Sequence, residues 1–210
     1  EWIETRNDDG GRLTPKGLAE MCESNPGPRI LILNYPNNPT GLTYSSSALK
    51  ALAGVAKEHG VTLISDEIYG EVNHRGEHQS IATFYPEGTV ISSGLSKWCG
   101  AGGWRLGFLA VPNKLTKFLS SLKSLASESY STVNTPTQFA AAEAYSGNYD
   151  EYKNKVKGIL NAIGNYVYNN LKSNKVLLNP PQGAFYLMPE FKNKKYENSS
   201  KMCEAILKET

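Results

Sequence analysis

The chain has 210 residues, with 22 Lys plus Arg against 20 Asp plus Glu and a formal net charge of +2. Apolar residues make up 40% and charged residues 20%, a globular balance that excludes a disordered tail, and the even charge excludes a dedicated nucleic-acid binder. No apolar run approaches the roughly 18–20 residues that a membrane-spanning helix needs. In chain order, Ile30–Asn34 is a short apolar run ended by Pro36-Asn37-Asn38-Pro39, which reads as a buried strand and a turn. From Ser45 to His59, Ala48, Leu49, Leu52, Val55 and Ala56 recur at helical spacing. Ser45–Ser47 offer N-caps, and Gly60 stands at the left-handed C-terminal position. Val61–Ser65, Thr89–Ser93 and Gly107–Val111 read as three further strands. Such apolar strands separated by a helix predict an α/β fold: a mostly parallel sheet with helices on both faces, its chemistry at the carboxyl ends of the strands. Helices are expected at 113–128, 135–145 and 150–172. Strands are expected at Val176–Leu178 and Ala184–Met188 around a Pro-Pro-Gln-Gly turn, then a last helix capped by Ser199 or Ser200.

Cysteine usage is sparse. Cys22, Cys99 and Cys203 are odd in number and widely spaced, which argues against a disulfide framework or a zinc site. His74 and His78 are four apart but sit among Asn73, Arg75 and Gly76, so a loop is expected rather than a metal-binding helix face. The expected compartment is the cytoplasm or an organelle matrix, where the sequon at Asn198 goes unused. Glu1-Trp2-Ile3-Glu4 has neither a basic start nor an apolar stretch, so no signal peptide is expected, and the missing initiator Met suggests a trimmed chain. Lys192–Lys195 is a basic cluster expected in a solvated loop.

Polar residues gather just after three successive strands: Asn34-Tyr35-Pro36-Asn37-Asn38-Pro39-Thr40-Gly41, Ser65-Asp66-Glu67-Ile68-Tyr69, and Ser93-Gly94-Leu95-Ser96-Lys97 continuing to Arg105-Leu106-Gly107. Each has a bland reading: Asn-Pro and Thr-Gly as turn residues, Asp66-Glu67 as an N-cap and a solvated acid, and Lys97 as a surface amine. All three nevertheless fall on one edge of a parallel sheet, and together they supply an amide, a carboxylate, a phenol, an amine and a guanidinium.

With Arg105 eight residues after Lys97, this set resembles the class I/II aminotransferases, the fold-type I enzymes that use pyridoxal phosphate. The match runs from Leu13-Thr14-Pro15 to Gly183-Ala184-Phe185-Tyr186. The resemblance implies pyridoxal 5'-phosphate as cofactor and Lys97 as the lysine that joins its aldehyde as an imine. It makes Asp66 the carboxylate on the pyridine nitrogen, and Tyr69 and Asn38 the groups on the ring hydroxyl oxygen. Arg105 becomes the phosphate-binding arginine, whose guanidinium suits a phosphate dianion. Glu67 has no such role and is expected as a helix-end or surface charge; Trp104 is expected to pack. Many relatives carry Ser three residues before the lysine, where this chain has Gly94, a feature that resembles the tyrosine-aminotransferase-like branch. Ser96, or Ser93, is the expected substitute on the phosphate.

The resemblance also implies a phosphate cradle on a helix N-terminus well ahead of Asn38, and a substrate-gripping arginine in a small domain. Only 37 residues precede Asn38, and the chain ends at Lys208-Glu209-Thr210 before any such arginine motif. The expectation is therefore an internal fragment: a partial large cofactor-binding domain over 1–158 and the start of a small α+β domain over 159–210. Alone it is expected to hold cofactor weakly, to lack turnover, and to carry unpaired sheet edges. The expected function of the full protein is transfer of an amino group between an L-amino acid and a 2-oxo acid, as a homodimer without nucleic-acid or membrane partners. The alternatives are another fold-type I enzyme, a lyase or synthase, or a cofactor-sensing domain of a transcription regulator.

Overall fold

The computed structural model describes residues 10–27, 29–173, 175–192 and 195–209; Glu1–Glu4 and the centre of the Lys192–Lys195 cluster lie outside them. A helix α1 (Pro15–Ser24) precedes the first strand, an element the apolar pattern did not announce. Its signal lies in the cap: Thr14 Oγ1 accepts from the Gly17 backbone N–H, and Pro15 opens the helix where no donor is needed. Strand β1 (Ile30–Asn34), helix α2 (Ser46–Glu58) and strand β2 (Thr62–Asp66) follow as the sequence suggests. Ser45 Oγ accepts from Ala48 N–H, and Gly60 takes the left-handed conformation at φ 62°.

β1, β2 and β3 (Thr89–Gly94) pair in parallel and in that order, with Leu33 opposite Ser65 and Asp66 opposite Ser92. β4 (Gly107–Ala110) completes the sheet but runs antiparallel to β3, with Gly94 opposite Gly107. The connection 95–106 contains no crossover helix, so the chain turns straight back. The sheet is thus mixed and mostly parallel, within the α/β class expected.

Leu49, Leu52, Ala53 and Ala56 form the buried stripe of α2, at helical spacing, and pack with Leu18 and Cys22 of α1 against Leu33 and Leu63 of the sheet. Full burial of one such Leu contributes about 1.5–3 kcal/mol. The alternate residues of β1, Ile30 and Ile32, are 58% and 68% exposed, so its opposite face is open among the described residues.

The helical second half matches expectation: α3 (Thr116–Ser129) after a short 3₁₀ turn, α4 (Thr135–Ser146) capped by Asn134, and the long α5 (Asp150–Leu171). The expected strand at Ala184–Met188 does not form. β5 (Val176–Leu177) pairs instead with β6 (Glu190–Phe191). Ala184 adopts φ 56° and donates its N–H to Val72 O at 3.0 Å, which turns the segment toward the large sheet. The last helix α6 (Ser199–Glu209) is capped by Asn198 rather than by a serine: Asn198 Oδ1 accepts from Lys201 N–H at 3.0 Å.

Candidate active site

The three polar turns leave the carboxyl ends of β1, β2 and β3, side by side, as a parallel register requires. Asp66 ends β2. Asn34, its partner in register at the end of β1, donates Nδ2–H to Asp66 Oδ2 at 3.0 Å, and Ile68 N–H donates to Asp66 Oδ1 at 3.3 Å. Burial pushes the Asp66 carboxyl up from its ordinary value, and these two donors only partly oppose it. Asn34 also holds the next turn, since its Oδ1 accepts from Asn38 N–H at 2.8 Å. Asn38 itself is exposed at the rim.

Lys97 stands three residues past the end of β3 and is half-buried. Its Nζ lies 5.5 Å from the centre of the Tyr69 ring and 5.8 Å from that of Phe185, within cation–π range of both. Tyr69 is buried, and its hydroxyl lies 2.6 Å from that of Tyr186. Arg105 sits in the left-handed region at φ 55° and donates from Nη1 to Gly102 O at 2.6 Å, while its side chain stays exposed. Ser96 lies beneath the same turn: a Cβ built on Gly102 would be 3.8 Å from Ser96 Cβ. Ser93 borders an open groove with Arg105, Phe108 and α3. Gly94 has a geometric reason. A Cβ there would stand 2.8 Å from Leu106 O, where β3 and β4 begin to pair.

Two expectations about neighbouring residues need correction. Trp104 does not pack; it is 56% exposed. Glu67 is not a surface charge but buried at 9% exposure. Its Oε1 accepts from Ser65 Oγ at 2.8 Å and Ser80 Oγ at 2.6 Å, and its Oε2 pairs with His78 Nε2 at 2.9 Å. Burial alone would raise this carboxyl, but the His78 and Ser80 hydrogen bonds and the His78 charge together bring it below its ordinary value. The partners arrive from residues 78–80, a loop that gives no periodic signal, so the sequence hides this network. Asn34 was equally hard to single out, though a polar residue ending an apolar strand run was its visible mark. His74 and His78 do sit in a loop, and no cluster of three or more metal-ligating side chains occurs among the described residues.

Three kinds of likeness agree with this geometry. The family model for aminotransferase class I and II matches residues 2–210. The chain is 36% identical over 193 residues to an aspartate aminotransferase of Geobacillus stearothermophilus, covering 90% of this chain and 48% of that protein. It is 34% identical over 191 residues to a probable N-acetyl-LL-diaminopimelate aminotransferase of Bacillus subtilis, covering 88% and 45%. An alanine aminotransferase structure from Pyrococcus furiosus superposes with a TM-score of 0.86 at 28% identity, over 97% of this chain and 52% of that one. The fold is α/β, a mixed sheet with helices, and it brings an amine and an acid to adjacent strand ends. The chain belongs to the class I and II aminotransferase family. It spans about half the length of the curated relatives it matches.

Proposed function

We propose that this chain carries the lysine side of the active site of a pyridoxal-phosphate-dependent aminotransferase, which moves an amino group between an L-amino acid and a 2-oxo acid. The observation that carries the reading is the meeting of Lys97 Nζ with the Tyr69 ring at the sheet end that also presents Asp66. The residues fit the cofactor. The Asp66 carboxylate uses one acceptor position on each oxygen, out of about four in all, and so has room for a ring N–H. Lys97 has an amine held over aromatic faces, and the exposed Arg105 guanidinium, on the turn whose Gly102 backbone also approaches Ser96, suits a phosphate.

Pyridoxal phosphate, when bound, supplies an aldehyde that bonds to amines and a protonated ring that draws electrons. Lys97 supplies the amine for that aldehyde, and between turnovers of the amine it carries a proton at Nζ as general acid and base. The faces of Tyr69 and Phe185 orient that amine. The half-buried Asp66, with acceptor positions free on both oxygens, would hold the ring N–H, and its charge would favour a protonated ring. Tyr69 and Asn38 donate to the ring hydroxyl oxygen, and Arg105 with Ser96 binds the phosphate.

The family resemblance supports a homodimer, a boundary between the two domains near residue 158 within α5, and a cytoplasmic site. The three cysteines, all free, fit a reducing compartment. The test is borohydride reduction of the full-length protein with cofactor, followed by peptide mapping. The expected result is a reduced adduct on Lys97, lost in Lys97→Ala. Mixing the holoprotein with an amino acid then converts the cofactor to its aminated form, which a lyase or synthase would not leave behind. No adduct on Lys97 overturns the reading.

A further inference from the structure

We propose that Tyr186 is a positioning residue: its hydroxyl donates to Tyr69 Oη and thereby leaves the Tyr69 hydrogen free to serve the cofactor. The two oxygens are 2.6 Å apart, so they share one hydrogen, and either tyrosine could give it. The choice matters. A Tyr69 that donates to Tyr186 has no hydrogen left for anything else; a Tyr69 that accepts has its own to give.

The contact is built into the fold across 117 positions of sequence. Residues 182–184 are clamped between the first polar turn and the segment 72–74 that follows Tyr69. Gln182 N–H donates to Gly41 O at 3.2 Å, and His74 N–H donates to Gln182 O at 2.9 Å. Ala184 N–H donates to Val72 O, and Gly183 bridges Asn73. Packing is close enough that a Cβ on Gly41 would stand 2.5 Å from Tyr186 O, and one on Gly183 would stand 2.6 Å from the Pro36 ring. The Phe185 ring meets Tyr69 edge-on at 5.6 Å, and the Tyr186 ring does so at 5.5 Å, which fixes both phenols in rotation. Tyr186 is half-buried while Tyr69 is buried beside Lys97. A hydroxyl that accepts one hydrogen bond is polarised into a stronger donor. Tyr186 therefore acts through Tyr69, strengthening the hydrogen bond that Tyr69 offers to the ring oxygen.

This proposal rests on the cofactor reading above and makes a spectroscopic claim. A weaker donor to the ring oxygen leaves that oxygen richer in charge, and Lys97 Nζ, once joined to the cofactor, would then keep its proton to higher pH. In the full-length protein with pyridoxal phosphate, the absorbance of the lysine-linked cofactor is titrated against pH. Tyr186→Phe moves the midpoint upward by roughly half a unit, about a threefold change in the proton equilibrium. Tyr69→Phe moves it further. The double variant matches Tyr69→Phe alone, because Tyr186 has nothing left to act on. Leu160→Ala, which loosens the apolar cluster of Tyr69, Val72 and Ala184 without removing a hydroxyl, leaves the midpoint in place. An unchanged midpoint in Tyr186→Phe overturns the proposal. So does an equal shift with and without Tyr69, or a shift of the same size in Leu160→Ala. Absence of any borohydride-fixed cofactor on Lys97 in the unsubstituted protein overturns the reading of the site itself, and is told apart from these outcomes because no chromophore is then present to titrate.

Discussion

Asp66 and Glu67 are adjacent carboxylates with opposite fates. The Asp66 carboxyl is raised mainly by burial, and Glu67 is lowered because hydrogen bonds from His78, Ser80 and Ser65, with the His78 charge, more than offset its burial. Their effects on stability have opposite signs. Glu67, depressed when folded, contributes stability that is present above the ordinary carboxyl value of 4.5 and is lost as pH falls through its lower folded value. Acid unfolding of Glu67→Gln is therefore expected to be less steep than that of the parent chain as pH falls from 4.5 through the lower folded value. At neutral pH, urea denaturation should show the variant about 1–3 kcal/mol less stable, because His78 and two hydroxyls lose a charged acceptor. Asp66, raised when folded, costs stability once ionised. Asp66→Asn should melt no lower than the parent without cofactor, yet abolish transamination in the full-length protein. A group kept ionised against its folding preference has a functional reason to be there.

At the scale of elements, the helix α2 and the strands β1–β3 were legible because periodicity and caps are local: Ser45, the 49-52-53-56 stripe and Gly60 all act within one segment. The polar ends of those strands were legible for the same reason, since register places them together once the strands are parallel. Residues 184–188 were misread because their fate is set from afar. The apolar run Ala184-Phe185-Tyr186-Leu187-Met188 has strand composition, but backbone bonds to Val72 and Gly41 hold its start, and the left-handed Ala184 breaks the extended path. The buried Glu67 escaped for a similar reason, as its partners lie 11 and 13 residues away in a loop. The same tertiary clamp gives a test. Gly41 has φ 68° and touches the Tyr186 carbonyl region, so Gly41→Ala combines a strained backbone with a collision. The expected loss is about 2–3 kcal/mol in chemical denaturation, and the Tyr69–Tyr186 contact should loosen with it.

At the scale of the whole molecule, the sheet is covered unevenly. α1 and α2 bury one side of β1, while Ile30 and Ile32 stand exposed on the other, and β1 is the edge strand of the four. Apolar surface at an open edge favours association. The isolated 210-residue chain should accordingly scatter light at micromolar concentration, and Ile30→Lys with Ile32→Lys should reduce that scattering without lowering the melting temperature by more than about 2 °C. Unchanged scattering would place the sticky surface elsewhere.

The close approach of Gly94 to Leu106 and Gly107 carries one more consequence. It closes residues 95–106 into a ring fastened at its neck, with the amine of Lys97 near one end of the circuit and the guanidinium of Arg105 near the other. Neither strand senses how many residues the ring contains. Evolution can therefore lengthen or shorten it by one residue and leave a sound scaffold, yet the spacing between the two cations would drift and the chemistry would fall silent. Loop length here, more than any packing in the core, is where such a protein could lose its occupation while keeping its shape.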